Sequence, residues 1–255
     1  MLHLFKRHIV LSIFILILFL LYFSFSSIHE NSDMEYLYNV PYPVSFRNLC
    51  SEDMIASDKI AILIVLSEGK YFRRHCVITK ILPKYEAILH IDADIGVVNP
   101  NRKLQELLDE NIDITFYDRH FSPEIAIGSY LAKNTSYAME IIKDFSEYER
   151  KLPNSFHGTE NGALHIFLAE KLFPHNLIEL ELCRQAWRSS QNVADQFSYT
   201  ACIRTLFGAN TDFGKVRILR KGTGHVRDDW LTSGIWSPYH DFMLHGILRI
   251  SKTIS

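Results

Sequence analysis

The chain has 255 residues, a formal net charge of −2 and a hydrophobic content of 47%. A balance so close to neutral, with no Lys/Arg-rich run and no interleaved aromatic platform, excludes a dedicated nucleic-acid binder. No internal repeat or low-complexity tract is present, so the pattern is that of one globular domain with extra apolar content at its front.

That content lies in Ile9 to Ser27, IVLSIFILILFLLYFSFSS, which has no charge and no proline. Roughly 19 helical residues cross a hydrocarbon core of about 30 Å. Lys6 and Arg7 precede the run, and Glu30, Asp33 and Glu35 follow it. The positive-inside rule then predicts a cytoplasmic tail at 1–8, a transmembrane signal anchor at 9–28 and a lumenal remainder. A cleaved signal peptide is the alternative, since Ser24-Phe25-Ser26 offers small residues at cleavage spacing. Either way the compartment is oxidising, and the expected location is a Golgi or endoplasmic reticulum membrane. The four cysteines, Cys50, Cys76, Cys183 and Cys202, all follow the anchor. Disulfides are therefore allowed, but sequence does not choose among the three pairings.

Residues 29–58 read as a stem, polar and broken by Pro41 and Pro43, and 59–255 as the lumenal domain. Lys59 to Leu66, KIAILIVL, has the continuous apolar character of a strand buried on both faces. Ala87 to Ile91 repeats it and ends in Asp92-Ala93-Asp94. Asn99-Pro100 followed by Leu104, Leu107 and Leu108 predicts a helix. Asp113 to Asp118 and Ile125 to Lys133 read as strands, with Gly128 marking a bend or a close backbone approach. Ala138, Ile141, Ile142, Phe145 and Tyr148 share one helical face. Asn161 to Phe173 gives another helix, stopped by Pro174, and Lys215 to Leu219 a further strand. This order predicts an α/β fold with a mixed, mostly parallel sheet flanked by helices.

Asp92 and Asp94 are the most informative pair. They follow an apolar strand, and ligands of open α/β sheets bind beyond the carboxyl ends of strands. Two carboxylates there repel unless a cation such as Mn²⁺ or Mg²⁺ joins them. A turn capped by two acids gives the same pattern, so spacing leaves both readings open. Trp236 to Gly246, WSPYHDFMLHG, holds His240, Asp241 and His245, either a late metal ligand or a surface aromatic cluster. Lys221-Gly222-Thr223-Gly224 is a cationic loop or a plain turn, and not a P-loop. His157 to Asn161 precedes a helix and either caps it or faces a substrate.

Together these pieces resemble a nematode-expanded family of uncharacterised proteins with a predicted nucleotide-diphospho-sugar transferase fold. The matching segments are FRRHC (72–76), LHIDADIGVVNP (89–100), FYDRH (116–120), IGSYLAKNTSY (127–137), LPNSFHGTENGALH (152–165), KGTGHVRDDWLT (221–232) and WSPYHDFMLHG (236–246). That family is in turn similar to Golgi galactosyl-, mannosyl- and xylosyltransferases with a GT-A fold, which retain anomeric configuration and use Mn²⁺. The resemblance implies a metal centre of Asp92, Asp94 and His245. It implies a catalytic pair in Glu160 and Asn161, and donor contacts from Gly128, Ser129 and Lys221. Two departures stand out. The segment between Leu66 and Phe72 is short, which predicts an open nucleotide side, and His225 stands where relatives carry an aromatic residue.

The expected function is metal-dependent transfer of a hexose or pentose from a nucleotide-diphosphate sugar to a glycan or glycoprotein. An inactive, transferase-like binding or scaffold protein is the main alternative. A metal-dependent hydrolase using the same carboxylates is a third reading, without an obvious activated nucleophile.

Overall fold

The computed structural model describes residues 60–64, 71–228 and 240–246. The tail, anchor and stem expected at 1–58 lie outside the described residues. Among the described residues no helix is long and apolar enough to cross a membrane.

Six strands form the main sheet in the order β1-β2-β5-β4-β7-β6. They are β1 (Ile60–Leu63), β2 (Ala87–Ile91), β4 (Ile114–Asp118), β5 (Ile125–Lys133), β6 (Asp212–Phe213) and β7 (Val216–Leu219). The expectation of a mostly parallel sheet is corrected. Only β1–β2 and β4–β7 pair in parallel, while β2–β5, β4–β5 and β6–β7 are antiparallel. β5 follows β4 through a short connection, so it returns beside it and separates β4 from β2. A short connection permits only an antiparallel neighbour. Between the parallel strands β1 and β2 the described residues include helix α1 (Tyr71–Ile81).

A second sheet of β3 (Ile95–Val97), β9 (Met243–His245) and β8 (Val226–Asp228), in that order, was not expected from sequence. The helix expected after Asn99-Pro100 is only a 3-10 turn at Leu104–Leu107. Its leucines instead pack against the layer between the two sheets.

The central strands β2, β4 and β5 are buried on both faces. Along β2, Ile88 faces a core shared with the helices, while Ala87, Leu89 and Ile91 face a second core shared with the small sheet. The period-2 alternation of a strand makes that division. On the helical side, α2 (Ser136–Ser146) is capped by Thr135, whose side chain accepts from the Ala138 amide, and buries Ala138, Ile141, Ile142 and Phe145. Helix α3 (Glu160–Leu172) is central, with Gly162 to Ala169 all buried. Two further helices, α4 (Leu177–Ser189) and α5 (Val193–Phe207), fill the stretch after Pro174 and are joined by a Cys183–Cys202 disulfide. Cys76 is free and exposed.

Candidate metal centre

The chain passes from the main sheet to the small one through Asp92-Ala93-Asp94. β2 ends at Ile91, the Asp92 amide donates to the Gly128 carbonyl at 2.7 Å, and the Ile95 amide closes a turn on the Asp92 carbonyl at 3.1 Å. The two carboxylates therefore flank a tight turn at the carboxyl end of a buried strand. Gly128 lets the turn sit there. A Cβ added at residue 128 would lie 2.3 Å from Asp92 Oδ2, so only glycine admits the Asp92 side chain without displacement. The close approach expected at Gly128 is thus an approach to the Asp92 side chain.

Strand β9 brings the histidine. His245 is in register with Ile95 on one side and with Asp228 on the other, and the Gly246 amide donates to the Asp94 carbonyl at 2.8 Å. Ligand atoms of Asp92, Asp94 and His245 all lie within 4.8 Å of one another. His245 Nε2 is 3.3 Å from Asp94 Oδ1, and Nδ1 is 3.0 Å from Asp228 Oδ1. Burial disfavours charge on the imidazole, but the hydrogen bonds to Asp228 and Asp94 outweigh it and lift His245 to about 9. The His245 hydrogen bond holds Asp94 below the usual carboxylate range. Burial pushes Asp92 up, against the pull of the nearby Arg74 guanidinium. Residues 240–246 are no surface aromatic cluster: Phe242, Met243 and Leu244 are buried. Asp241 forms a fork with Arg227 at 2.9 and 2.8 Å, and His240 is exposed.

Beyond Asp92 lies the first turn of α3. Thr159 caps it, its side chain accepting from the Gly162 amide, and Glu160 is buried beneath. The Arg74 guanidinium, from α1, pairs with both Glu160 carboxylate oxygens and with Asp92. His75, the next residue, hydrogen-bonds Glu160 through Nε2 and Tyr130 through Nδ1 at 2.9 Å. Burial lowers the His75 pKa and keeps the ring neutral, so Nε2–H donates to Glu160 and the Tyr130 hydroxyl donates to Nδ1. Burial opposes the charge on Glu160, yet the bonds from His75 and Arg74 keep it ionised and its pKa low. Within 157–161 Thr159 is thus the helix cap, while Glu160 is held by Arg74 and His75. Asn161 has an exposed side chain, and its carbonyl accepts from His165 Nδ1 at 2.9 Å.

Two donor contacts expected from the resemblance sit differently. Ser129 is fully buried and its Oγ meets His225 Nε2 at 3.0 Å, so it does not line an open floor. His225 packs edge-on against Tyr117 with centroids 4.9 Å apart, filling the place of an aromatic ring while adding that hydrogen bond. Lys221 starts a turn, and its ammonium donates to the carbonyls of His120 and Ser122. The nucleotide side expected to be open involves residues 65–70, which lie outside the described residues.

Sequence reasoning gave no role to Arg74, His75, Arg119 or Asp228. The signal was present, since Arg74 and His75 fall in FRRHC, Arg119 in FYDRH and Asp228 in KGTGHVRDDWLT. No local periodicity distinguishes them from surface charges.

The family model described as a protein of unknown function, DUF273, matches residues 51–254. The chain belongs to this family. Among solved structures, one described as a glycosyltransferase involved in the glycosylation of the major capsid of PBCV-1 is similar at 16% sequence identity. The match covers 71% of this chain and 72% of that one, with a TM-score of 0.38. A likeness that distant carries no argument about activity. No curated protein matches the chain.

Proposed function

We propose that the protein is a metal-dependent glycosyltransferase that moves a hexose or pentose from a nucleotide-diphosphate sugar to a glycan or glycoprotein acceptor with retention. The observation that carries the proposal is the convergence of Asp92, Asp94 and His245, with ligand atoms within 4.8 Å. Two carboxylates and one imidazole at a strand-end turn suit a divalent cation such as Mn²⁺ or Mg²⁺. Such an ion would supply positive charge for the departing diphosphate.

The rest of the chemistry falls to the chain's own residues. Glu160, kept ionised by Arg74 and His75, would offer negative charge to an oxocarbenium-like sugar at the edge of the metal centre. Arg74 links it to Asp92, which sets the two carboxylates one guanidinium apart. Asn161, exposed on the first turn of α3, would contact the donor sugar. Gly128 would allow close approach beside Asp92. In this reading residues 9–28 anchor the protein in a Golgi or endoplasmic reticulum membrane, with the domain in the lumen.

The test is UDP-sugar hydrolysis or transfer by the full chain in detergent with Mn²⁺. Full activity in Asp92→Ala/Asp94→Ala would sink the proposal. A second reading, an inactive transferase-like binding or scaffold protein, is favoured by one observation: Arg74 already engages Asp92 and both oxygens of Glu160. It predicts neither turnover nor a UDP-dependent thermal shift with Mn²⁺. Ligand at 100 Kd stabilises by about 2.7 kcal/mol, which such a shift detects.

A further inference from the structure

The small sheet carries a buried carboxylate that the proposed function does not use. Asp228 ends β8, directly across from His245 on β9, and is only 3% exposed. Its Oδ1 accepts from two donors, His245 Nδ1 at 3.0 Å and Arg119 Nη2 at 2.8 Å. Its Oδ2 lies 3.3 Å from the His120 amide nitrogen, which donates to it. Arg119 reaches onward to Glu124 at 3.9 Å, and Glu124 to His157 at 3.2 Å. Asp228 is therefore fixed from behind by the β4–β5 connection and from in front by the His245 ring.

We propose that Asp228 is a positioning residue of the metal centre, holding His245 with its proton on Nδ1 and Nε2 turned toward Asp94. The inference rests on the metal-centre reading of Asp92, Asp94 and His245.

An imidazole offers one lone pair to a cation, and the proton must stay on the other nitrogen. An acceptor on Nδ1 selects the nitrogen and fixes the ring plane, and a charged acceptor also raises the basicity of the ligating nitrogen. Asp228 meets both conditions. Its carboxylate receives three N–H donors, from the His245 ring, the Arg119 guanidinium and the His120 amide. It is also immobile, because a ladder pair and an amide hold it. The opposite ring nitrogen is the one 3.3 Å from Asp94. Sequence places Asp228 far from every other member of the centre except through the β8–β9 register, which gives the small sheet a purpose beyond packing.

The test uses the full chain and Mn²⁺ alone as the probe. Mn²⁺ affinity is measured by titration calorimetry. The His245 tautomer is read from ring ¹⁵N shifts at high pH without metal, assigned by its loss in His245→Gln. Asp228→Asn retains an acceptor without the charge, and Asp228→Ala removes both. Asp241→Asn loosens the Arg227 fork in the same sheet and serves as the structural control. The expected result is Mn²⁺ binding about 10-fold weaker in Asp228→Asn and up to about 100-fold weaker in Asp228→Ala. The Nδ1–H signature should be lost in the latter, and Asp241→Asn should match wild type in both readouts. Asp228→Asn guards against an alanine variant that does not fold. Wild-type affinity and an unchanged tautomer in the Asp228 variants would overturn the assignment. So would equal losses in Asp241→Asn. Absence of Mn²⁺ binding by wild type would instead sink the metal reading itself, and this role with it.

Discussion

Asp94 and His245, some 150 residues apart in sequence, stand with Oδ1 and Nε2 3.3 Å from each other. The contact follows from backbone register, because β3 begins just after Asp94 and its first residue, Ile95, pairs with His245. Substituting either partner should therefore remove a ligand without removing the strand pairing. His245→Ala and Asp94→Ala are each expected to weaken Mn²⁺ binding by at least tenfold while far-ultraviolet circular dichroism stays unchanged. Unaltered affinity in both variants would rule out the centre.

Gly128 supports the same site through space rather than charge. In Gly128→Ala the new methyl group meets Asp92 Oδ2, and the carboxylate must move from its present position. Overpacking of this kind costs about 1–3 kcal/mol. The expected outcome is a lower denaturation midpoint together with weaker Mn²⁺ binding. A stability loss with unchanged affinity would show that Asp92 does not need its present position to bind metal.

Acid should destabilise the fold before the carboxylates titrate. His165 sits between two partners of fixed polarity: Nδ1 donates to the Asn161 carbonyl, and Nε2 accepts from the Ile125 amide at 2.8 Å. A second proton would place two donors face to face. Burial accordingly lowers His165 from 6.5 to about 4, and burial alone does the same for His225. His75 and His90, also fully buried, are lowered in the same direction. Below pH 6.5 the unfolded chain takes up protons that the folded chain refuses. The contribution of these four histidines is thus full above 6.5 and falls as pH drops toward 4, whereas that of His245, raised to about 9, is full below 6.5 and is lost as pH rises through 9. Each histidine contributes a slope of about 1.4 kcal/mol per pH unit. Urea unfolding at pH 6.5, 5.5 and 4.5 reads this slope, and a flat profile would contradict the neutral-histidine assignment.

The Cys183–Cys202 disulfide ties α4 to α5 across 19 residues. A loop of that length is worth about 3 kcal/mol in the chain-entropy account. Cys183→Ser/Cys202→Ser should lower the thermal midpoint and leave Mn²⁺ affinity within twofold, because neither cysteine belongs to the metal centre. Reducing agent should reproduce the shift in wild type and not in the variant.

Much of the scaffold was legible in the sequence because its signals are local. The apolar runs at Lys59 to Leu66 and Ala87 to Ile91 suited strands with two covered faces; β2 is buried on both, while β1 is mostly half-buried. The Ala138, Ile141, Ile142 and Phe145 stripe fixed α2, and Thr159 with Pro174 bracketed α3. Helices α4 and α5 escaped notice because Leu177, Ile178, Leu182, Val193 and Phe197 are exposed, which blurs the helical stripe. The leucines after Asn99 misled in the opposite way: they are half-buried against the layer beside the small sheet, and only a single 3-10 turn carries them.

Sequence by itself determined which residue types cluster at a strand end, and so marked Asp92 and Asp94 as an unusual pair. Tertiary structure alone decided their company. Strand direction in the main sheet depends on which connection is too short to cross over, and that put β5 between β2 and β4. The small sheet is built from three segments of three residues each, too short to announce themselves, and its register delivers His245 and Asp228 to Asp94. Arg74 and Glu160 meet because α1 and α3 pack near the same strand end. A buried ion pair leaves no trace in local sequence, since its energy depends on partners that only the folded chain brings within reach.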